Sequence, residues 1–378
     1  MSDETVARAP LRGRATAILS GFVSPFVALS IPALIFYGLL SSDLVPGDLG
    51  DARFNNYILE HIYRWASGQD VSLLSPPFFY PYPYALGFSD THAGSAIVYV
   101  AFRLLGYDSY TSFTLWIAFG YLLTFLAAYY VFLRMSVTPW LAAVGALAFA
   151  FCLPSIAQIG HAQLVYRAAV PFAFFHTIRY AEDQRPRDAF FAVTALCVQC
   201  LFNLYLGLFT ALLVAILFPS VVVLTRGAGP LAFVRGVREE ALRSGFSAAL
   251  AMIALVAAGA MAAFHRHVST IYEFGRSWDE IVQMVPRPQS YLMMDRLPYW
   301  AEITANVPTV PMRGEHQLFM GAPITLLATG AFVYAVIRLR SASPRLLALL
   351  AATLVGIALT TIYRGHGPYA YIASLPGF

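Results

Sequence analysis

The stretch TAILSGFVSPFVALSIPALIFYGLL, Thr16–Leu40, carries no charged side chain and leads directly toward VPGDLGDARFNN, Val45–Asn56. A helix needs about 20 apolar residues to cross a bilayer, so Thr16–Leu40 reads as a membrane span. It is too long for the core of a signal peptide and has no small-residue cleavage site followed by polar chain. The rest of the sequence agrees. It is 59% hydrophobic and 12% charged, with a mean hydropathy of +0.65, whereas soluble domains are about one-quarter charged. All 24 basic residues are Arg. No basic segment accompanies a soluble fold, which argues against a nucleic-acid partner. Cys152, Cys197 and Cys200 lie in apolar segments, so the Cys197-x-x-Cys200 spacing reads as two small buried residues one helical turn apart.

Outward from Thr16–Leu40, apolar windows predict further spans at 112–133, 139–157, 164–180, 188–203, 206–225, 245–264, 318–337 and 346–362. A shorter stretch, 93–106, contains Arg103 and reads as a tilted span or a re-entrant helix. The expectation is one all-α polytopic membrane domain over 1–378 with about nine or ten spans. Arg in the short connections sets the orientation. Arg8, Arg12 and Arg14 precede the first span. Arg179, Arg185 and Arg187, then Arg226, Arg235, Arg238 and Arg243, then Arg338, Arg340 and Arg345 fill later turns. Placing all of these inside makes the N-terminus cytoplasmic and puts the two long loops, 41–92 and 265–317, outside. The location expected is a bacterial inner membrane.

The outer loops hold the polar chemistry. Asp48 and Asp51 follow the first span closely, and Asp90 lies in Ser89-Asp90-Thr91-His92. Two readings of Asp48 and Asp51 stand side by side. One is a general base that takes a proton from an acceptor hydroxyl; the other is a cap on the helix that follows. Asp90 has the same two readings. Residues 51–66 place Phe54, Ile58, Ile62 and Trp65 at helical spacing, which predicts an amphipathic helix lying in the interface. The proline- and tyrosine-rich run 76–84 predicts extended chain with aromatics at headgroup depth. Arg53, His92, His161 and Gln163 are candidate substrate ligands. Arg287 and Arg296 join them, because Arg presents a planar fork to phosphate oxygens. No motif requires a cofactor, and a divalent metal stays an open expectation, since His265-x-His267 alone is a weak ligand pattern. No phosphate-cradling loop, nucleophile elbow or His-Glu-x-x-His motif occurs.

Several motifs fall in a distinctive order. GDLGDARFNN at 47–56 is followed by FYPYP at 79–83, GHAQL at 160–164 and FNLYLGLF at 202–209. Pro286-Arg287-Pro288, Glu315 ahead of LFMG at 318–321, and Leu375-Pro376-Gly377-Phe378 complete the series. Together they resemble uncharacterised bacterial membrane proteins of the GT-C glycosyltransferase superfamily, distantly similar to protein O-mannosyltransferases and lipid A aminoarabinose transferases. The resemblance implies a helical bundle whose first outer loop carries the catalytic acid, here Asp51 or Asp48. It implies a polyprenyl-phosphate sugar as donor and a glycan, lipid or protein hydroxyl as acceptor. Gly50-Asp51 stands where many relatives have adjacent acids. Similar proteins continue with more spans, which implies a fragment or a shortened form.

The expected activity is inverting transfer of a sugar from the lipid phosphate at the outer face, with Asp51 as base and Asp48 supporting it. Arg287 or Arg296 is expected at the donor phosphate. The alternative is a lipid-linked sugar flippase or polysaccharide-export component without transferase activity. A scaffold of a cell-envelope complex is a third reading.

Overall fold

A computed structural model describes residues 11–41, 44–70, 72–225 and 245–373. Arg8, the arginines of 226–244 and the Leu375–Phe378 motif lie outside these residues. The chain is an all-α polytopic membrane protein, with no strand among the described residues. In chain order the helices are α1 (Leu11–Ser41), α2 (Asp51–Ala66), α3 (Ala96–Leu104), α4 (Ser109–Arg134) and α5 (Pro139–Ala150). Next come α6 (Leu153–Ala157), α7 (Ala169–Asp183), α8 (Pro186–Phe202), α9 (Leu204–Thr225) and α10 (Gly245–Tyr272). The last are α11 (Trp278–Met284), α12 (Pro298–Thr304), α13 (Ala322–Ile337), α14 (Pro344–Thr360) and α15 (Tyr369–Ala373).

Five helical stretches are long and apolar enough to cross a membrane: Leu19–Ser41, Ser109–Arg134, Pro139–Ala157, Leu204–Thr225 and Gly245–Tyr272. Two shorter apolar helices, α13 and α14, accompany them. At one end, the Arg345 guanidinium grips Glu182 at 2.7 Å, joining the start of α14 to the end of α7. At the other end, the Ile362 N–H donates to the Pro286 carbonyl, just past α14. The segment 93–106 does not cross. Its helix α3 has nine residues, and at 1.5 Å per residue that is about 13 Å against about 30 Å of hydrocarbon.

Two expectations need correction. Helix α2 does not lie free in the interface. It docks on α3 and α4 with Asn55, Asn56 and His61 buried, while Arg53 and Arg64 stay exposed. Asn56 Nδ2 donates to Ser109 Oγ at 3.2 Å, and Glu60 takes the Arg103 guanidinium and the Tyr99 hydroxyl. The expected apolar stripe splits: Ile58 is buried, Trp65 stays 42% exposed, and Phe54 packs edge-on against Phe78. Polar groups could turn inward because each found a partner there. The 76–84 run is not extended. It turns repeatedly, with Phe79 and Tyr84 in the left-handed region, and its rings form a cluster with Phe88 and Tyr272.

What positions the site is a core beneath it. Phe113, Trp116, Ile117 and Tyr121 of α4 pack against Ala52 and Leu59 of α2 and against Ala162, Val165 and Tyr166. The last three belong to a connection with little regular structure, and hydrogen bonds pin it. Thr124 Oγ1 donates to the Val165 carbonyl at 2.8 Å, the Tyr166 hydroxyl to Trp116 O at 2.9 Å, and Gln199 Nε2 to Tyr166 O at 2.9 Å. Its buried carbonyls thereby find donors without a helix.

Candidate functional site

Three segments far apart in sequence meet at one end of the bundle: the N-terminus of α2, the connection 157–163 and the loop 313–316. Asp48 and Asp51 take different roles there. Asp48 Oδ1 accepts the N–H groups of Gly50 at 3.0 Å and Ala52 at 3.2 Å, so Asp48 is the cap. Its other oxygen lies against Gly160, where a Cβ would come within 2.2 Å of Oδ2; only glycine fits. Gly47 has φ +109°, and a Cβ there would meet Ala52 at 2.3 Å, so the loop also needs glycine at this turn.

Asp51 is the first residue of α2, and its side chain is 58% exposed. Its Oδ2 lies 3.1 Å from His161 Nδ1, and His161 Nε2 lies 3.7 Å from Glu315 Oε2. The imidazole is thus bracketed by carboxylates from two other segments. The facing Glu315 carboxylate raises the His161 pKa above its usual value, against the effect of partial burial, and the Asp51 charge adds to the rise. In return His161 holds the Glu315 carboxyl below its usual range, again opposed by burial and helped by Arg296.

Loop 313–316 is built to hold Glu315 in place. Asp295 takes Arg313 at both Nε (2.5 Å) and Nη2 (2.9 Å) and also binds Gln317. Buried His316 donates from Nε2 to the Gln283 carbonyl and accepts the Ser290 hydroxyl at Nδ1. Gln158 Nε2 reaches the Gly314 carbonyl at 3.2 Å, and Arg296 Nη1 donates to the Ala157 carbonyl at 2.9 Å. Arg296 therefore reaches the cluster. Arg287 does not share its role: its guanidinium donates to Val282 O, and its backbone N–H donates to Ser290 Oγ. Arg53 is exposed, with no ion pair among the described residues.

Asp90, His92 and Gln163 lie behind this surface. Asp90 is 8% exposed; it accepts Asn203 Nδ2 at 2.7 Å and the Leu204 N–H at 3.2 Å, at the start of α9. Burial raises its pKa, against the Leu204 N–H, the charge of His265 and the Gln163 side chain. His92 is 1% exposed and has φ +53°. Its partner fixes its tautomer. Asn55 Nδ2 donates to the Asp51 carbonyl at 2.8 Å, so the Asn55 oxygen faces His92 at 2.8 Å and Nε2 must donate. Among the described residues Nδ1 has no hydrogen-bond partner, and burial pushes the His92 pKa down to about 3. Gln163 Oε1 likewise has none among them.

Glu315 is the member of the cluster that sequence reading gave no role. Its signal was modest: one acid beside Gly314 in an outer loop, with nothing in the spacing to pair it with His161. Among the described residues no group of three His, Cys, Asp or Glu is placed to hold a metal ion.

No curated protein and no solved structure shows significant similarity to this chain. One family description does, matching residues 42–366, and these contain every member of the cluster. The chain therefore belongs to the family described as Domain of unknown function (DUF6311).

Proposed function

We propose that this protein is a membrane glycosyltransferase that moves a sugar from a polyprenyl-phosphate donor to a hydroxyl acceptor. The observation that carries the reading is the cluster of Asp51, His161, Glu315 and Arg296, in which the exposed Asp51 carboxylate lies 3.1 Å from His161 and Arg296 acts on His161 and Glu315. His161 occupies Asp51 Oδ2 and leaves Oδ1 open. Oδ1 takes the proton of the acceptor hydroxyl, and the acceptor oxygen attacks the anomeric carbon. The bond from that carbon to the phosphate oxygen breaks, and the lipid phosphate leaves with the electron pair. Arg296 and protonated His161 offset the charge that develops, the main electrostatic task in such a transfer. Glu315 raises the His161 pKa and so favours its protonated form.

The outer face of the bacterial inner membrane is the proposed location of the cluster. The end that bears it has more acids than arginines among the described residues. The opposite end, with Arg134, Arg179, Arg185, Arg187, Arg338, Arg340 and Arg345, has the reverse. That asymmetry supports a cytoplasmic N-terminus.

One observation favours the second reading, a lipid-linked sugar flippase or export component. Asp90 is buried near His265 of α10, and ionisable groups inside a membrane domain commonly serve transport. Mass spectrometry of lipid-linked sugars and surface glycans, with and without Asp51→Asn, separates the two. Transfer predicts accumulated donor and lost product in the variant. Wild-type glycans in Asp51→Asn would sink the transferase reading.

A further inference from the structure

A groove of about 360 Å³ lies between the end of α1 and the start of α4, lined by Leu40, Leu44, Val45, Asp108, Tyr110 and Thr114 among others. This is within the usual size of small-molecule sites, about 300–1,000 Å³. Its two ends differ in chemistry. Leu40, Leu44 and Val45 are 38%, 63% and 39% exposed and continue the bare apolar surface of α1, where Phe26, Ile31 and Leu34 are exposed. The other end is polar. Asp108 caps α4, accepting the N–H groups of Tyr110 at 2.9 Å and Thr111 at 3.1 Å and the Thr111 hydroxyl at 2.5 Å. These bonds hold the carboxylate in one place while it stays exposed. Tyr110 and Tyr37, 61% and 72% exposed, flank this level, as tyrosines do at headgroup depth.

Arg103 donates to the Tyr107 carbonyl from Nη1 and pairs with Glu60 through Nε and Nη2 at 2.8 and 3.0 Å. Asp108, held by N–H and hydroxyl donors, makes no ion pair among the described residues. The mouth of the groove therefore presents a carboxylate without an ionic partner among those residues. An anionic head group would meet like charge there; an ammonium would meet its complement.

We propose that this groove seats one lipid with an ammonium head group, its chain along Leu40 and Leu44 and its ammonium at Asp108. The proposal is independent of sugar transfer and goes beyond it. The groove is close to the candidate site: Ser109, beside Asp108, bonds Asn56, and Asn56 is five residues along α2 from Asp51, about 8 Å at 1.5 Å per residue.

The test uses the full chain reconstituted in vesicles of equal phosphatidylethanolamine and phosphatidylglycerol, then extracted for native mass spectrometry of retained lipid. Wild type is expected to retain one phosphatidylethanolamine in preference to phosphatidylglycerol. Leu40→Trp fills the groove at a depth where Trp is well tolerated and should reduce retention at least tenfold. Asp108→Asn keeps a good cap while removing the charge, and should bring the two lipids to parity without lowering the melting temperature. Equal or absent retention by wild type, unchanged retention in Leu40→Trp, or an undiminished preference in Asp108→Asn would each overturn the proposal. Absence of sugar transfer by the wild type, with retention intact, would count against the transferase reading alone.

Discussion

Asp51 and Asp90 both lie between α1 and α3, each near a histidine, yet the fold gives them opposite surroundings. Asp51 opens a helix at the surface, with one oxygen on His161 and the other without a partner among the described residues. Asp90 is buried and spends both oxygens on Asn203 and Leu204. Their histidines differ in the same way. Carboxylates raise the pKa of His161, whereas burial drives that of His92 down to about 3. A group that must exchange a proton with a substrate needs an open lone pair and a partner that can change charge. The exposed pair has both. The buried pair is shielded from solvent, its histidine is held neutral by burial, and its placement ties α2, α9 and the loop between them into one body.

The widest test of that contrast is to remove each charge in turn. Asp51→Asn should cost about 10²–10⁴-fold in turnover, the usual contribution of a positioned base. Its melting temperature should barely change, because surface substitutions usually fall within about 0.5 kcal/mol. Asp90→Ala should behave the other way. It leaves the Asn203 amide and the Leu204 N–H without their acceptor, a cost of about 1–3 kcal/mol for each unsatisfied group. A lowered melting temperature in detergent would show it. An Asp90→Ala protein that melts like wild type but no longer turns over would move Asp90 into the reacting set and dissolve the contrast.

The same difference explains what was legible from sequence. Span positions were, because hydropathy and length are local properties; α8, α9 and α10 fall close to the windows 188–203, 206–225 and 245–264. The choice between base and cap was not. Asp48 and Asp51 are both acids just ahead of an amphipathic run, and only the approach of Gly160 and His161 from 110 residues away gives them separate tasks. The docking of α2 through Asn56 and Glu60 was not legible for a related reason. Periodicity reports which residues share a face, but Ser109, Tyr99 and Arg103 decide whether that face can be buried. Glu315 was invisible as a partner, since its position depends on the Asp295–Arg313 pair and buried His316 holding the loop.

Arg296 and Arg287 sharpen the comparison at the next scale down. Both flank prolines in the same loop, yet only Arg296 reaches the cluster. A charge-assisted hydrogen bond to a phosphate contributes about 1.5–3 kcal/mol, so Arg296→Ala should weaken donor binding roughly tenfold or more. The loss should shrink as salt rises, since exposed charges are screened. Arg287→Ala should leave donor affinity unchanged. Equal losses in the two variants, measured by titration with polyprenyl phosphate, would undo the distinction.

The smallest effect belongs to the His161–Glu315 pair. The folded state raises the His161 pKa above the ordinary 6.5. The stability it gains is therefore fully present below about pH 6.5 and fades as pH rises through the folded value. The folded state lowers the Glu315 pKa below the ordinary 4.5. Its contribution is present above about pH 4.5 and fades as pH falls through the folded value. Both contributions are complete only between those two limits. The side chains are 30% and 35% exposed, so solvent screening keeps the pair below about 1 kcal/mol, and a melting curve will barely register it. The imidazole itself is the better reporter. In histidine-labelled protein followed by NMR, with His161→Gln to assign the signal, Glu315→Gln should shift the His161 titration to lower pH. Asp51→Asn should shift it less, since Glu315 is the larger cause of the rise. A titration that moves with Asp51 and ignores Glu315 would make the shorter 3.1 Å contact dominant. It would also leave Glu315 without the part assigned to it, that of favouring the protonated form of His161.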